Sequence, residues 1–357
     1  MNPCFIIQPY VQSVPQRIQQ RFLCAMAVAF VVCMVGHHAA AQTYAPTASS
    51  PLATATVLAY FSSLHVQQPA SFRRVLPKSD VFTIPFRNLG KLIRVQATVN
   101  GKKGYFILDS GAPFLVLNSQ YFPHLGTELR LVNVSGVTGG VKNVRTAMID
   151  AFEWGGIQYS SLRCHVVDLL HLERKPSDSI FGLIGFEIFR DLEMLMDYDA
   201  STIVLYKLND AGNRIEYDVD YQTPEYIVPF TYKGHLPIVE ASIAGVGLRL
   251  GIDTGAEFTL LSNVLDSVVL RSFIRERKMP LRGSGKGIVD AWLGRIEDMK
   301  LGNAAYISQA ALLVDIKETN ETFDTRLDGL LGQPFLRYRR TVMNFRKKEL
   351  HLWDFAY

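Results

Sequence analysis

The sequence predicts an all-β fold in the main, built as two tandem lobes related by a pseudo-twofold axis, with a few short helices. Three observations predict it. One motif occurs twice: residues 106–118 read Phe-Ile-Leu-Asp-Ser-Gly-Ala-Pro-Phe-Leu-Val-Leu-Asn, and residues 250–262 read Leu-Gly-Ile-Asp-Thr-Gly-Ala-Glu-Phe-Thr-Leu-Leu-Ser. A wider repeat surrounds the motif at one fixed register. Short apolar or alternating runs punctuated by Gly recur through both copies, which is the pattern of strands and tight turns.

The register makes whole lobes equivalent, not just two turns. At an offset of 144 residues, Ile84-Pro85-Phe86 matches Val228-Pro229-Phe230, and residues 95–99 match residues 239–243. Further on the offset is 147 residues, so three residues enter the second copy. Gly182-Leu183-Ile184-Gly185 then matches Gly329-Leu330-Leu331-Gly332, and Met196-Asp197-Tyr198 matches Met343-Asn344-Phe345.

Within each copy, residues 95–99 alternate apolar and polar, residues 105–108 run apolar into the Asp turn, and residues 203–206 and 350–353 read as closing strands. Residues 265–278 read as the best helix of copy two. The basic run 337–348, with alternating apolar residues, reads as a strand with a solvated face. These boundaries give lobes at 79–208 and 226–357. A polar, acidic segment at 209–225, with Gly212 and Pro224, reads as the linker between them.

The N-terminus reads as a targeting segment. Arg17 and Arg21 precede an apolar run at 22–35, and Ala39-Ala40-Ala41 follows, the order of a secretory signal cleaved after Ala41. The run is shorter than the roughly 20 residues of a spanning helix, which disfavours an uncleaved anchor and a stable membrane span. Residues 1–41 are therefore read as a signal peptide, and the protein as secreted or, in a bacterium, periplasmic. Residues 42–78, rich in Ala, Thr, Ser and Pro, read as a loosely ordered tail with one helix over 52–66.

Composition bounds the function. Of 357 residues, 48 % are apolar and 20 % charged, with a formal net charge of +4. That is an ordinary globular balance with no basic excess for nucleic acid. Signal cleavage removes Cys4, Cys24 and Cys33, leaving Cys164 alone. An exported chain with one cysteine has no internal disulfide, and Cys164 reads as a small buried hydrophobe. His165 and His171 lack metal-ligand spacing, so no metal site and no cofactor is implied. Residues 283–287 superficially suggest a phosphate loop, but Leu281 and Gly287 stand where Gly and Ser/Thr are required.

The chemistry lies in the repeated motif. Asp109 and Asp253 are equivalent positions, so each lobe supplies one carboxylate. Two carboxylates about 3 Å apart cannot both ionise and share a proton, one acting as base and the other as acid. Gly111 and Gly255 permit close approach of the two loops, and Ser110 and Thr254 offer hydroxyls that fix them.

Asp-Ser/Thr-Gly-Ala, followed some 70 residues later by two apolar residues and Gly, resembles the signature of the aspartic proteases. Leu183-Ile184-Gly185 and Leu330-Leu331-Gly332 supply the second element. Lobe size and Ala112 and Ala256 are more similar to the retropepsin-like branch than to pepsins, in a tandem form as in bacterial retropepsin-like proteins. The resemblance covers about residues 82–355. It implies an aspartic endopeptidase, Asp109 and Asp253 as its dyad, an extended peptide as substrate, and a monomer with intramolecular lobe pairing. It also implies mobile Gly-rich flaps, with Gly139, Gly140, Gly283 and Gly285 as candidates. The competing reading is a peptide-binding module of the same fold that does not cut. The two copies are not identical, since Pro113 faces Glu257 and Leu115 faces Thr259 in the register.

Overall fold

Strand Leu92–Val99 buries Leu92, Ile93, Val95, Ala97 and Val99 and turns Gln96 outward, which is the alternation its sequence predicts. It returns as Lys102–Leu108 through Asn100 and Gly101, whose φ angles are 46° and 80°. The second copy turns through Ala244 and Gly245 at 52° and 80°. Two consecutive positive φ angles match the twist of a two-residue hairpin, and Gly adopts the second without strain. A computed structural model describes residues 55–57, 61–62, 73–128, 134–136, 139–140, 144–175, 177–215, 222–283, 287–323 and 325–354. The signal-peptide expectation falls outside these residues. Residues 52–357 form one unit.

Both copies fold by the same rule. In the first, Lys102–Leu108 pairs in parallel with Gly182–Ile184, which pairs antiparallel with Leu115–Asn118. Leu115–Asn118 then lies parallel to Ile157–Val167, which forms a long hairpin with Arg145–Trp154. In the second, Val246–Ile252, Gly329–Leu331, Thr259–Ser262, Ala304–Val314 and Ile288–Leu301 repeat that order and those directions. The short strands Gly182–Ile184 and Gly329–Leu331 are wholly buried, as their uninterrupted apolar character requires.

A sheet formed by both copies closes the base. Its order is Tyr226–Pro229, Glu349–Trp353, Arg340–Asn344, Leu192–Asp197, Thr202–Lys207 and Val81–Leu89. The two central strands come one from each copy and meet at Met194–Met343 and Leu195–Val342. Large side chains fill the interior, including Phe106, Phe152, Trp154, Tyr306 and Phe335, all fully buried. Each such side chain contributes about 1.5–3 kcal/mol by leaving water. Cys164 is buried and free, and burial pushes its thiol up to about 12.

The structure corrects three expectations. Only Ser267–Ser272 of residues 265–278 is helical, capped by Asp266 Oδ1 accepting from Val268 N at 2.7 Å. Strand Phe273–Gly283 takes over, because its pairing with Ile288–Leu301 outweighs a pattern of interspersed charges. Residues Ala55–Val57 and Phe61–Ser62 are strands, not parts of a helix. Of the basic run, Arg337 ends helix Gln333–Tyr338, and Arg340–Asn344 is a largely buried strand at the centre of the shared sheet. At the start of the segment expected to link the lobes, Leu208 bridges Arg214, and Arg214 is buried.

Candidate active site

Asp109 follows strand Lys102–Leu108, and Asp253 follows strand Val246–Ile252. The same four hydrogen bonds hold each loop. Asp109 N donates to Ile184 O at 3.0 Å and Asp253 N to Leu331 O at 3.0 Å. Ala112 N donates to Asp109 O and Ala256 N to Asp253 O, each at 3.2 Å. Ala112 O and Ala256 O then accept from Phe186 N and Gln333 N, each at 2.8 Å. Gly111 N donates to Asp109 Oδ1 at 2.9 Å, and Gly255 N to Asp253 Oδ1 at 2.7 Å.

Gly185 and Gly332 explain why the second element ends in Gly. A Cβ on Gly332 would lie 2.6 Å from Ala256 O, and one on Gly185 would lie 2.7 Å from Ala112 O. The apolar-apolar-Gly segment thus packs directly against the Asp loop of its own copy.

Ser110 and Thr254 lock the two loops to each other. Ser110 N donates to Thr254 Oγ1 at 2.8 Å, and Thr254 N donates to Ser110 Oγ at 3.0 Å. Each hydroxyl passes its own proton across: Ser110 Oγ donates to Ile252 O at 3.1 Å and Thr254 Oγ1 to Leu108 O at 3.0 Å. All four groups are buried, where hydrogen bonds are strong and costly to lose. This reciprocal exchange places the two Asp carboxyls face to face.

Gly111 and Gly255 let them approach. A Cβ on Gly255 would sit 2.6 Å from Asp109 Oδ1, and one on Gly111 would sit 2.8 Å from Asp253 Oδ1. Gly255→Ala is therefore expected to force the loops apart and cost about 1–3 kcal/mol of stability, read by denaturant unfolding. An unchanged midpoint would show that the loops are not in close contact.

Both carboxyls are fully buried. Oδ2 of each takes no hydrogen bond from the described residues. Burial raises the Asp109 pKa well above the ordinary carboxylate value, and the facing carboxyl of Asp253 raises it further. Burial also raises Asp253, to about 6, against the pull of the Gly255 and Gly111 amides. The pair therefore holds a proton where ordinary carboxylates are ionised, and it titrates as a unit.

Three further features were not legible in the motif. Glu257, buried next to the second Asp loop, accepts from Lys91 N at 3.1 Å and from Arg174 Nη2 at 2.5 Å, both in the first lobe. Burial lowers the pKa of Lys91, whose ammonium lies 3.8 Å from the Phe258 ring centroid. His235, equivalent to Lys91, makes the opposite contact through Nε2 to Gly111 O at 2.8 Å, and burial lowers its pKa to about 4. Gln333 Nε2 donates to Thr254 O at 2.8 Å and is itself held by Tyr198 OH at 2.9 Å. The Pro113/Glu257 difference is thus a clamp between lobes.

Of the Gly-rich candidates, Gly139 and Gly140 form a strand paired with Gly136 and Ser135, and Gly283 ends strand Phe273–Gly283. Gly285 lies outside the described residues. His171 does not gather metal ligands; its Nε2 lies 3.0 Å from Gly283 O. Among the described residues no cluster of three or more His, Cys, Asp or Glu could hold a metal ion. Among the described residues, too, no helix is long and apolar enough to cross a membrane.

Fold and site together define a two-lobed β protein organised around a paired aspartate. The chain belongs to the aspartyl protease family, whose model matches residues 95–188 and 239–335, once in each copy, which makes it a tandem retropepsin-like member. No curated protein matches it.

Proposed function

We propose that the protein is an exported aspartic endopeptidase in which Asp109 and Asp253 activate water between them. The observation that carries this reading is the pair of opposed, buried carboxyls with raised proton affinity, held by the Ser110–Thr254 exchange. With one proton on the pair, the ionised carboxylate takes a proton from water as the water oxygen attacks the peptide carbonyl carbon. The other carboxyl donates its proton to the carbonyl oxygen. Collapse of the tetrahedral intermediate breaks the C–N bond: the carboxyl that took the water's proton gives it to the leaving amine, and the ionised partner takes a proton from a hydroxyl of the intermediate as the new carboxyl group forms. The pair ends as it began, with one shared proton.

Ser110, Gly111, Thr254 and Gly255 position the carboxyls. The Gly-bearing hairpin ends at 139–140 and 283–285 serve as flaps over an extended peptide. Residues 79–208 and 226–357 act as the two lobes of a monomer, joined through 209–225. Residues 1–41 direct export to the periplasm or beyond.

The pH dependence follows from the shifts. As pH falls through about 6, the value for Asp253, both carboxyls become protonated and the base is lost. As pH rises past the raised pKa of Asp109, both ionise and the acid is lost. The rate should therefore trace a bell whose acid limb falls near pH 6. The test is digestion of a random peptide library from pH 4 to 9 with product mapping. No cleavage at any pH, with the N-terminal segment in place or displaced, would end the reading, and an optimum near pH 4 would show that the pair is not buried when it works.

A further inference from the structure

The tail segment that reads as a loose helix pairs instead with both Gly-bearing hairpins. Ala55–Val57 lies parallel on Leu281–Gly283, with Ala55 opposite Leu281, Thr56 opposite Arg282 and Val57 opposite Gly283. Phe61–Ser62 lies antiparallel on the other hairpin, with Phe61 opposite Ser135 and Ser62 opposite Val134. The offset of 147 residues makes Val134, Ser135 and Gly136 the equivalents of Leu281, Arg282 and Gly283.

That register has a specific meaning. Two strands related by a twofold axis point in opposite directions across it. A segment that crosses the axis must run parallel to one and antiparallel to the other, which is how Ala55–Val57 and Phe61–Ser62 pair. Ala55 and Ser62 meet equivalent positions, and so do Thr56 and Phe61. Asp109 and Asp253 are equivalent positions of the same repeat, so the axis that relates the two edges also relates the two carboxyls.

Both hairpins are also braced on the opposite lobe. Gly283 O lies 3.0 Å from His171 Nε2, and strand Val134–Gly136 packs beside helix Lys317–Phe323. Met279 and Leu281 pack in one apolar cluster with Ala256 of the second Asp loop. Both carboxyls are fully buried.

We propose that residues 55–62 occupy the edges that an extended peptide uses, so that the chain's own N-terminal segment excludes other peptides until it is displaced. This rests on the reading of the cleft as a peptide site. The recognised partner is an extended strand bound through its backbone, parallel to one hairpin and antiparallel to the other. A tethered segment acts at an effective concentration in the millimolar range, enough to exclude peptides of ordinary affinity.

The test compares the chain from residue 42 onward with a variant carrying Ala55→Pro, Thr56→Pro, Phe61→Pro and Ser62→Pro, both in an Asp253→Asn background. In a strand only alternate residues face a given neighbour, so substituting adjacent pairs removes the donors whichever way they point. The probe is a fluorescein-labelled synthetic peptide of residues 52–66, and matching thermal unfolding checks that the variant is folded. At least tenfold tighter binding to the variant is expected. Equal binding to both chains, or binding to neither, overturns the proposal. Library digestion with Asp253 intact is read separately. Cleavage at equal rates by both chains, with equal probe binding, removes the tail's role and leaves hydrolysis standing. Tighter probe binding without any cleavage removes hydrolysis and leaves the tail's role standing.

Discussion

Asp253→Asn is expected to lower peptide cleavage by at least ~10³-fold, and Asp109→Asn by a similar factor, since removing a positioned acid or base costs about 10²–10⁴-fold. The amide has the shape of the carboxyl but can neither take a proton from water nor share one with its partner. The double variant should be little worse than either single one, because two groups that act as one unit are not additive. Folding should survive, and the sign of the stability change is informative. Burial raises both pKa values in the folded protein, so the stability each protonated carboxyl contributes is full below the ordinary carboxylate pKa and is lost as pH rises to its folded value. Asn does not ionise. The Asn variants should therefore unfold at the same temperature as wild type near pH 4 and at an equal or higher one at pH 8. A variant that still cuts within tenfold of wild type would remove that aspartate from the chemistry. One that loses activity together with its melting transition would point to a structural role instead.

The parts of this site legible in the sequence were those repeated at a fixed register. The two Asp turns, the Leu-Ile-Gly and Leu-Leu-Gly segments and the strands before them all recur at equivalent positions, so each copy supports the reading of the other. Contacts between copies left no such trace. Glu257 meets Lys91 across 166 residues of sequence. Its counterpart Pro113 cannot make that contact, so the register marks a difference without its reason. The tail failed for the same cause. Residues 52–66 have a composition that suits a helix, and only the distant edges at 134–135 and 281–283 make two pieces of it into strands. Strand Phe273–Gly283 likewise owes its form to its partner, not to local preference.

Glu193→Ala is expected to destabilise the fold on the order of 3–5 kcal/mol, the usual cost of stranding one half of a buried ion pair. Glu193 and Arg214 are both buried, and Arg214 Nε donates to Glu193 Oε1 at 2.5 Å. Asn344, on the central strand from the other copy, donates from Nδ2 to Glu193 Oε2 at 2.6 Å and to Gly212 O at 2.9 Å. The guanidinium also lies 3.6 Å from the Tyr206 ring centroid. One carboxylate therefore joins the strand Leu192–Asp197, the strand Arg340–Asn344 and the segment that follows the first lobe. Removing it takes the Glu193 carboxylate away from a buried guanidinium in the sheet that both lobes share. Glu193→Gln keeps the shape and some of the hydrogen bonds, and it should cost less than the Ala variant. A bridge between lobes differs from one within a lobe in its effect on the carboxyl pair, since the Ser110–Thr254 exchange requires both loops in register. Glu193→Ala should accordingly lower peptide cleavage even where the chain is still folded, in proportion to the fraction of molecules with loosened lobes. Denaturant unfolding and cleavage measured on the same sample separate the two effects. A loss below about 1 kcal/mol would mean that the pair is solvated rather than buried.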